Sequence, residues 1–354
     1  MSLLKELLRP LAQDGAALTR EQAVKVLEEI LAGGVPDVET AALLTVMATR
    51  GEQAPELAGF VDVMRREATP LPFTDDERGQ LVDCVGTGGG GPQTFNISCG
   101  AALVAAAAGA KVAKHGNRAV TSLCGAADVL ESLGIPIDLG PELAVECLRE
   151  TGFVFLFAPL YHPAMKLVGP IRRALGFRTI FNLVGPLTNP AQARTQVIGV
   201  LAPSRVLLVG RALAALGARR AFVVHGTDGI DELTTTGESV VARVEETNTG
   251  ATELKAARVT PEMAGLPRTT LDQFIGGGVE TNKSLLYEVI TGIPGARRDI
   301  VLLNAAAVLI AANMAGDLKE GVSMGAEAID SGRAAALVAK LRQFGAKHGG
   351  QKPN

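Results

Sequence analysis

Across the first seventy residues apolar positions return every three or four, the period of helices that turn one face to a core. Thr19 with Gln22 makes a capping box ahead of AVKVLEEILAG, which stops at Gly33-Gly34. Pro36-Asp37 opens VETAALLTVMATRG, and APELAGFVDVMRREA supplies a third helix. LPFTDDERG reads as a linker. From Gln80 the pattern changes. Short β-rich runs (QLVDCV, KVAKHG, FVFLFAP, TQVIGV, RAFVVHG) alternate with helical text such as SCGAALVAAAAGA and CGAADVLESLG. That alternation predicts an α/β fold with a mostly parallel central sheet flanked by helices. VVARVEE is expected as an edge strand, and two or three alanine-rich helices close the chain. The expected organisation is a small N-terminal helical domain over 1–72, a large α/β domain over 80–345 and a flexible tail over 346–354.

Composition narrows the class. The chain has 354 residues, 47% of them apolar and 20% charged, which suits a globular protein of two domains. A net charge of −3 argues against a nucleic-acid partner held through bulk charge. Cys84, Cys99, Cys124 and Cys147 show no C-x-x-C spacing and read as buried free thiols in a reducing cytoplasm. MSLLKELLRP has no apolar signal-peptide core. Ala101–Ala110 is too short to span a bilayer, and Asn304 and Asn313 interrupt Ile300–Ala315. The expectation is a cytoplasmic protein with no membrane partner.

Candidate chemistry begins at VGTGGGGPQTFNIS, where five of the six residues from Gly86 to Gly91 are glycine. A predicted strand runs into this loop and a helix starts near Ser98, so bare backbone N–H groups lie where parallel sheets bind ligands. A flexible turn would not need five glycines, each of which adds ordering entropy, and an anion loop explains them better. Gly86-x-Gly88-x-x-Gly91 satisfies the dinucleotide fingerprint in form. However, the next strand ends in Lys114-His115, where that fingerprint places an acid, and no G-K-[ST] follows for a nucleotide P-loop.

Three further segments extend the picture. KHGNRAVTS, after the second strand, offers two cations and hydrogen-bonding side chains as a clamp for phosphate oxygens. In HGTDGIDELTTTGES the adjacent Asp231 and Glu232 suit Mg²⁺, which is commonly held by one or two carboxylates plus substrate phosphates. Taken alone, such a pair is usually an exposed acidic turn. Tyr161–Pro190 (YHPAMKLVGPIRRALGFRTIFNLVGPLTNP) carries Arg172, a cation left over for a second, anionic substrate. No zinc spacing and no Gly-x-Ser-x-Gly elbow occurs.

GTGG-x-G…TFNIS, KHGNR, G-x-A-D-V-L, HPAM, RTIFNL-x-GPLTNP and DG-x-DE stand here in an order and spacing that resemble the anthranilate phosphoribosyltransferase family. The resemblance runs from the N-terminal helices to about Glu246. It implies a homodimer that moves phosphoribose from 5-phosphoribosyl 1-diphosphate to the amine of anthranilate, with Mg²⁺, releasing pyrophosphate in tryptophan biosynthesis. It also implies that helices near 163–190 return to complete the helical domain. The donor would lie on Gly86, Gly89, Gly90, Thr94, Asn96, Ile97, Ser98 and Cys99, on Lys114, His115, Gly116, Asn117, Arg118, Ala119, Val120, Thr121 and Ser122, and on Ala126. Anthranilate would meet Gly86, Asn117 and Arg172, and the metal Ser98, Asp231 and Glu232. No general base is assigned. Lys114, Arg118 and Arg172 would act by positioning.

Five positions depart from the family pattern. Gly90 stands for an Asp, Cys99 for a Thr, Leu123 and Ala126 for the Lys and final Ser of K-S-G-S, and Tyr161 for the first His of His-His-Pro. Each is expected to weaken a substrate pocket. The competing readings are a pyrimidine nucleoside phosphorylase, against which the acid pair and KHGNR speak, and a silent paralogue acting as a nucleic-acid-binding or scaffold protein.

Overall fold

The computed structural model describes residues 3–88, 91–119, 122–247 and 249–348. Four helices open the chain: Leu3–Gln13, Arg20–Leu31, Asp37–Arg50 and Ala54–Arg66. The Thr19–Gln22 capping box is present. Helices Met165–Leu175 and Ile180–Leu187 come back to pack on the third and fourth of these, and Val168, Ile171, Ile180 and Phe181 share a core with Leu43, Leu57 and Phe60. The stretch expected as a linker contains a short helix, Asp75–Gln80, with its own capping box between Thr74 and Glu77. The charges of DDERG hid the T-x-x-E signal that starts it.

Seven strands follow: β1 (Leu81–Gly86), β2 (Lys111–Gly116), β3 (Phe153–Phe157), β4 (Thr195–Gly199), β5 (Arg220–Gly226), β6 (Ser239–Glu246) and β7 (Thr252–Val259). They form one sheet in the order β3-β2-β1-β4-β5-β6-β7. The first five are parallel, and β6 and β7 turn antiparallel. VVARVEE is thus the penultimate strand and not the edge. TELKAARV, mostly exposed and too weakly alternating to stand out in sequence, covers it.

Two cores meet at the sheet. One joins the helical elements to β4, β5 and helix Pro203–Ala215. The other lies under β1–β3 and is filled by helices Ile97–Ala107 and Ala296–Ala311, the two long apolar runs. Four helices close the chain, one or two more than expected: Val279–Ile290, Ala296–Ala311, Leu318–Asp330 and Arg333–His348. The last extends to His348, so the expected tail is helical at its start, and its remainder lies outside the described residues. All four cysteines are buried and unpaired, as expected. Among the described residues no helix is long and apolar enough to cross a membrane.

Candidate active site

β1 and β4 lie side by side with Gly86 opposite Gly199. Neither residue has room for a side chain. A Cβ on Gly86 would overlap Asp231 Oδ2, and one on Gly199 would overlap the Asp231 carbonyl. Two bare strand ends therefore seat one acid, and the Gly88 N–H donates to Asp231 Oδ2 at 3.0 Å. Gly89 and Gly90 lie outside the described residues. Beyond them Thr94 bridges Ile275, and Phe95 N–H donates to Phe274 O at 2.9 Å. The Asn96 side chain donates to Cys124 O at 3.2 Å and accepts from Asn282 Nδ2 at 2.9 Å. Asn282 also accepts the Gly277 N–H at 2.7 Å. Sequence reading passed over Asn282 because no motif surrounds it.

Beneath the loop, Lys114 is buried, and its ammonium donates to Cys84 O and, at 3.4 Å, to Ser98 Oγ. Ile97 and Cys99, on either side of Ser98, turn into the core, where burial raises the Cys99 thiol. Glu232 has a buried carboxylate oxygen, Oε2, with no hydrogen-bond partner. Its pKa is pushed well above the ordinary value, first by burial and then by the charge of Asp231. Asp228, in the same turn, is occupied by Thr234 and Thr236 at 2.6 and 2.7 Å. That accounts for the TTT stretch as a structural knot. Two crowded acids with an orphaned oxygen are what a hard divalent cation would relieve. Among the described residues no three His, Cys, Asp or Glu side chains cluster as a metal cage. This pair therefore suits an ion that draws most of its oxygens from water and substrate.

The KHGNR stretch does not form one clamp in this structure. Lys114 is engaged inside, whereas Arg118 lies at the surface, paired with Asp128 at 2.9 Å and Glu131 at 2.8 Å. Asp128 Oδ2 also accepts the N–H groups of Ala119 and Gly125, both at 2.9 Å, and so folds the loop. Asn117 is exposed, with its Oδ1 accepting the Arg118 N–H at 2.7 Å. Gly116 ends β2 against Phe155. Val120 and Thr121 lie outside the described residues. Ser122 is exposed, Leu123 is 59% exposed, and Ala126 begins a helix.

A cavity of about 560 Å³ opens between β1, β2 and the returning helices. Gly86, His115, Asn117, His162, Arg172 and Phe181 are among its walls. It thus gathers the three residues expected to meet anthranilate, and it draws in His115, which sequence reading gave to the donor. The Arg172 guanidinium lies 5.5 Å from the Phe181 ring centroid. The rings of His115 and His162 are 5.1 Å apart, and burial depresses their pKa values to about 3 and about 4. Both are neutral at pH 7. Tyr161 does not reach this wall. It is fully buried, and its hydroxyl donates to Leu139 O at 2.6 Å, so the departure at that position fills a core and does not alter the pocket. A second residue missed in sequence is Arg178, whose Nη1 donates to Gly88 O at 2.6 Å.

Residues 78–335 match the model of the glycosyl transferase family α/β domain, and residues 5–68 match that family's helical bundle domain. Anthranilate phosphoribosyltransferase of Roseiflexus castenholzii is 46% identical over 328 residues, 92% of this chain and 94% of that one. The Symbiobacterium thermophilum enzyme of the same name is 45% identical over 96% and 97% of the two chains. Among solved structures, anthranilate phosphoribosyltransferase from Thermus thermophilus superposes with a TM-score of 0.86 at 42% identity, over 97% of this chain and 99% of that one. The Saccharomyces cerevisiae enzyme in complex with PRPP and Mg gives 0.86 at 26% identity, over 97% and 98%.

Proposed function

The chain belongs to the anthranilate phosphoribosyltransferase family, and from that premise we propose how its residues divide the work. The reaction moves phosphoribose from 5-phosphoribosyl 1-diphosphate to the amine of anthranilate and releases pyrophosphate, in tryptophan biosynthesis. The observation that carries the division is the position of Gly86, which lines the cavity and abuts Asp231. In this reading the acceptor and donor sites share one residue without a Cβ, which leaves no side chain between the cavity and Asp231 at that point.

Arg172 takes the anthranilate carboxylate as a charge-assisted pair. The neutral His115 and His162 add no charge to that of Lys166, Arg172 and Arg173 in the wall, and an arylamine attacks with its own lone pair. Gly88, Thr94, Asn96 and Ser98 line the donor's approach, and Arg118 can exchange its surface partners for phosphate oxygens. Asp231 and Glu232 would hold Mg²⁺, which when bound offsets charge on the departing diphosphate. Bond cleavage leaves an oxocarbenium-like sugar, so orienting the amine and excluding water are the protein's main tasks. Two copies would form the working unit, with Val38 and Leu167 on helices and Phe177 in the turn after the second of them as exposed apolar residues. The reducing cytoplasm is the compartment in which four free thiols persist.

The test is the loss of anthranilate fluorescence on adding 5-phosphoribosyl 1-diphosphate, with Mg²⁺ and with excess EDTA. Loss that requires Mg²⁺ supports this reading. No loss at high enzyme and donor concentration would move the assignment to a silent paralogue.

A further inference from the structure

We propose that Arg178 is a positioning residue that ties the start of the glycine loop to the acceptor cavity, so that filling one site strengthens the other. The proposal rests on the reading above and deepens it. Gly88 has a positive φ of +57° and both of its backbone polar groups held. Its N–H is on Asp231 Oδ2 at 3.0 Å, and its carbonyl accepts from Arg178 Nη1 at 2.6 Å. The second arm of the guanidinium reaches Thr87 O at 3.4 Å. Two neighbouring carbonyls are thus taken by one planar fork, which a lysine ammonium could not reproduce.

The origin of that fork matters as much as its target. Arg178 stands in the turn between helices Met165–Leu175 and Ile180–Leu187. The turn is fixed at both ends. Gly176, at φ +69°, closes the first helix, and Thr179 N–H donates to Asn182 Oδ1 at 3.0 Å to start the second. Arg172 and Phe181, the stacked pair of the acceptor wall, lie on the helices on either side. One ten-residue segment therefore touches anthranilate's cavity with its ends and the donor loop with its middle. Asp231 acts on the same arrangement from the other side, through the Gly88 N–H and through its field at Arg178.

An exposed arginine resting on whatever carbonyl lies nearest is the plain alternative. It predicts no link between the substrates. The clasp predicts one, because ordering Gly88 around a bound donor also fixes Arg178 and hence the segment that carries Arg172.

Arg178→Ala and Arg178→Lys, each in the full-length protein, separate the two. In wild type, Mg²⁺ with an inert methylene analogue of 5-phosphoribosyl 1-diphosphate should tighten anthranilate several-fold in a fluorescence titration. In Arg178→Ala that tightening should vanish, and the donor KM should rise about tenfold, the value of one charge-assisted hydrogen bond. Anthranilate binding to donor-free enzyme, the melting temperature and kcat at saturation of both substrates should stay within about threefold or a degree or two. Arg178→Lys should recover part of the donor KM. Unchanged coupling in Arg178→Ala overturns the proposal, as does an equal loss of donor-free anthranilate binding. If wild type shows no turnover, the transferase reading fails on its own, and calorimetric Mg²⁺–donor binding by wild type and Arg178→Ala still decides whether Arg178 holds the loop.

Discussion

On the side of Gly86 where we propose the acceptor, packed side chains wall a cavity. The cavity has volume, a stacked Arg172–Phe181 pair, and two histidines that burial keeps neutral. On the side proposed for the donor, Glu232 carries an orphaned oxygen beside Asp231, and Arg118 is paired with Asp128 and Glu131. The contrast follows the ligands. A flat, singly charged aromatic needs shape and one cation, so its site can be built from packed side chains at little cost. A diphosphate with a divalent ion brings concentrated charge of both signs, so its site needs acids and cations whose burial costs energy without those partners.

The largest effect should come from Asp231→Asn, which preserves the acceptor for Gly88 N–H and removes the charge. We expect kcat/KM for the donor to fall about 10²–10³-fold, with donor-free anthranilate binding unchanged. Steady-state kinetics over a Mg²⁺ titration, beside an anthranilate fluorescence titration, reads both. A matching loss of anthranilate binding would erase the distinction between the two sides.

Arg172→Ala should do the reverse. Losing one charge-assisted pair should raise the anthranilate KM by about 10–100-fold and leave calorimetric Mg²⁺–donor binding within about threefold. A rise in both constants would show that Arg172 serves the donor too.

The two sides should also answer pH with opposite signs. The Glu232 pKa is raised in the fold, so the metal-free native state binds more protons than the unfolded chain above the ordinary carboxylate range. Its contribution to stability is present at low pH and is lost as pH rises above about 4.5. His115 and His162 are lowered from 6.5 to about 3 and about 4. Their contribution is present above 6.5 and is lost as pH falls toward those values. The slope from one group is at most about 1.4 kcal/mol per pH unit. Thermal melts from pH 4 to 9 should show a Mg²⁺-induced gain that grows with pH, and Glu232→Gln should abolish that growth. A gain independent of pH would place the ion elsewhere.

The smallest effect tests a departure from the family pattern. Leu123 is 59% exposed, so Leu123→Lys removes no core contact. The added cation at the loop should lower the donor KM by no more than about fivefold, the range of an exposed ion pair, without changing the anthranilate KM.

The parts of this molecule that could be read from sequence are those whose cause is local. Strands ending at Gly86, Gly116 and Gly226 were visible because glycines interrupt β-rich runs there. The acid pair was visible because its two members are adjacent. Arg178 opens the RTIFNL motif, but its contact was not legible, since its partner lies 90 residues away and is a carbonyl, which has no signature in a sequence. The same holds for Asn282, 186 residues from Asn96. The surface pairing of Arg118 was invisible for another reason: a basic run announces charge but not which acids it meets first, and Asp128 and Glu131 stand in the first and second turns of the next helix. Tyr161 looked like damage to a pocket because the motif places it beside His162, yet neighbours in a chain can face opposite ways.

Gly199 offers a last point about how mutational data on this protein should be read. It donates no proton, carries no charge and has no side chain with which to touch a substrate, but any larger residue there would collide with the backbone of Asp231. A saturation screen would score the position as intolerant as the acid pair itself. The intolerance would come from occupied space alone, and substituting Asp231 with a smaller residue would not rescue it, because the obstacle is a carbonyl that every amino acid brings.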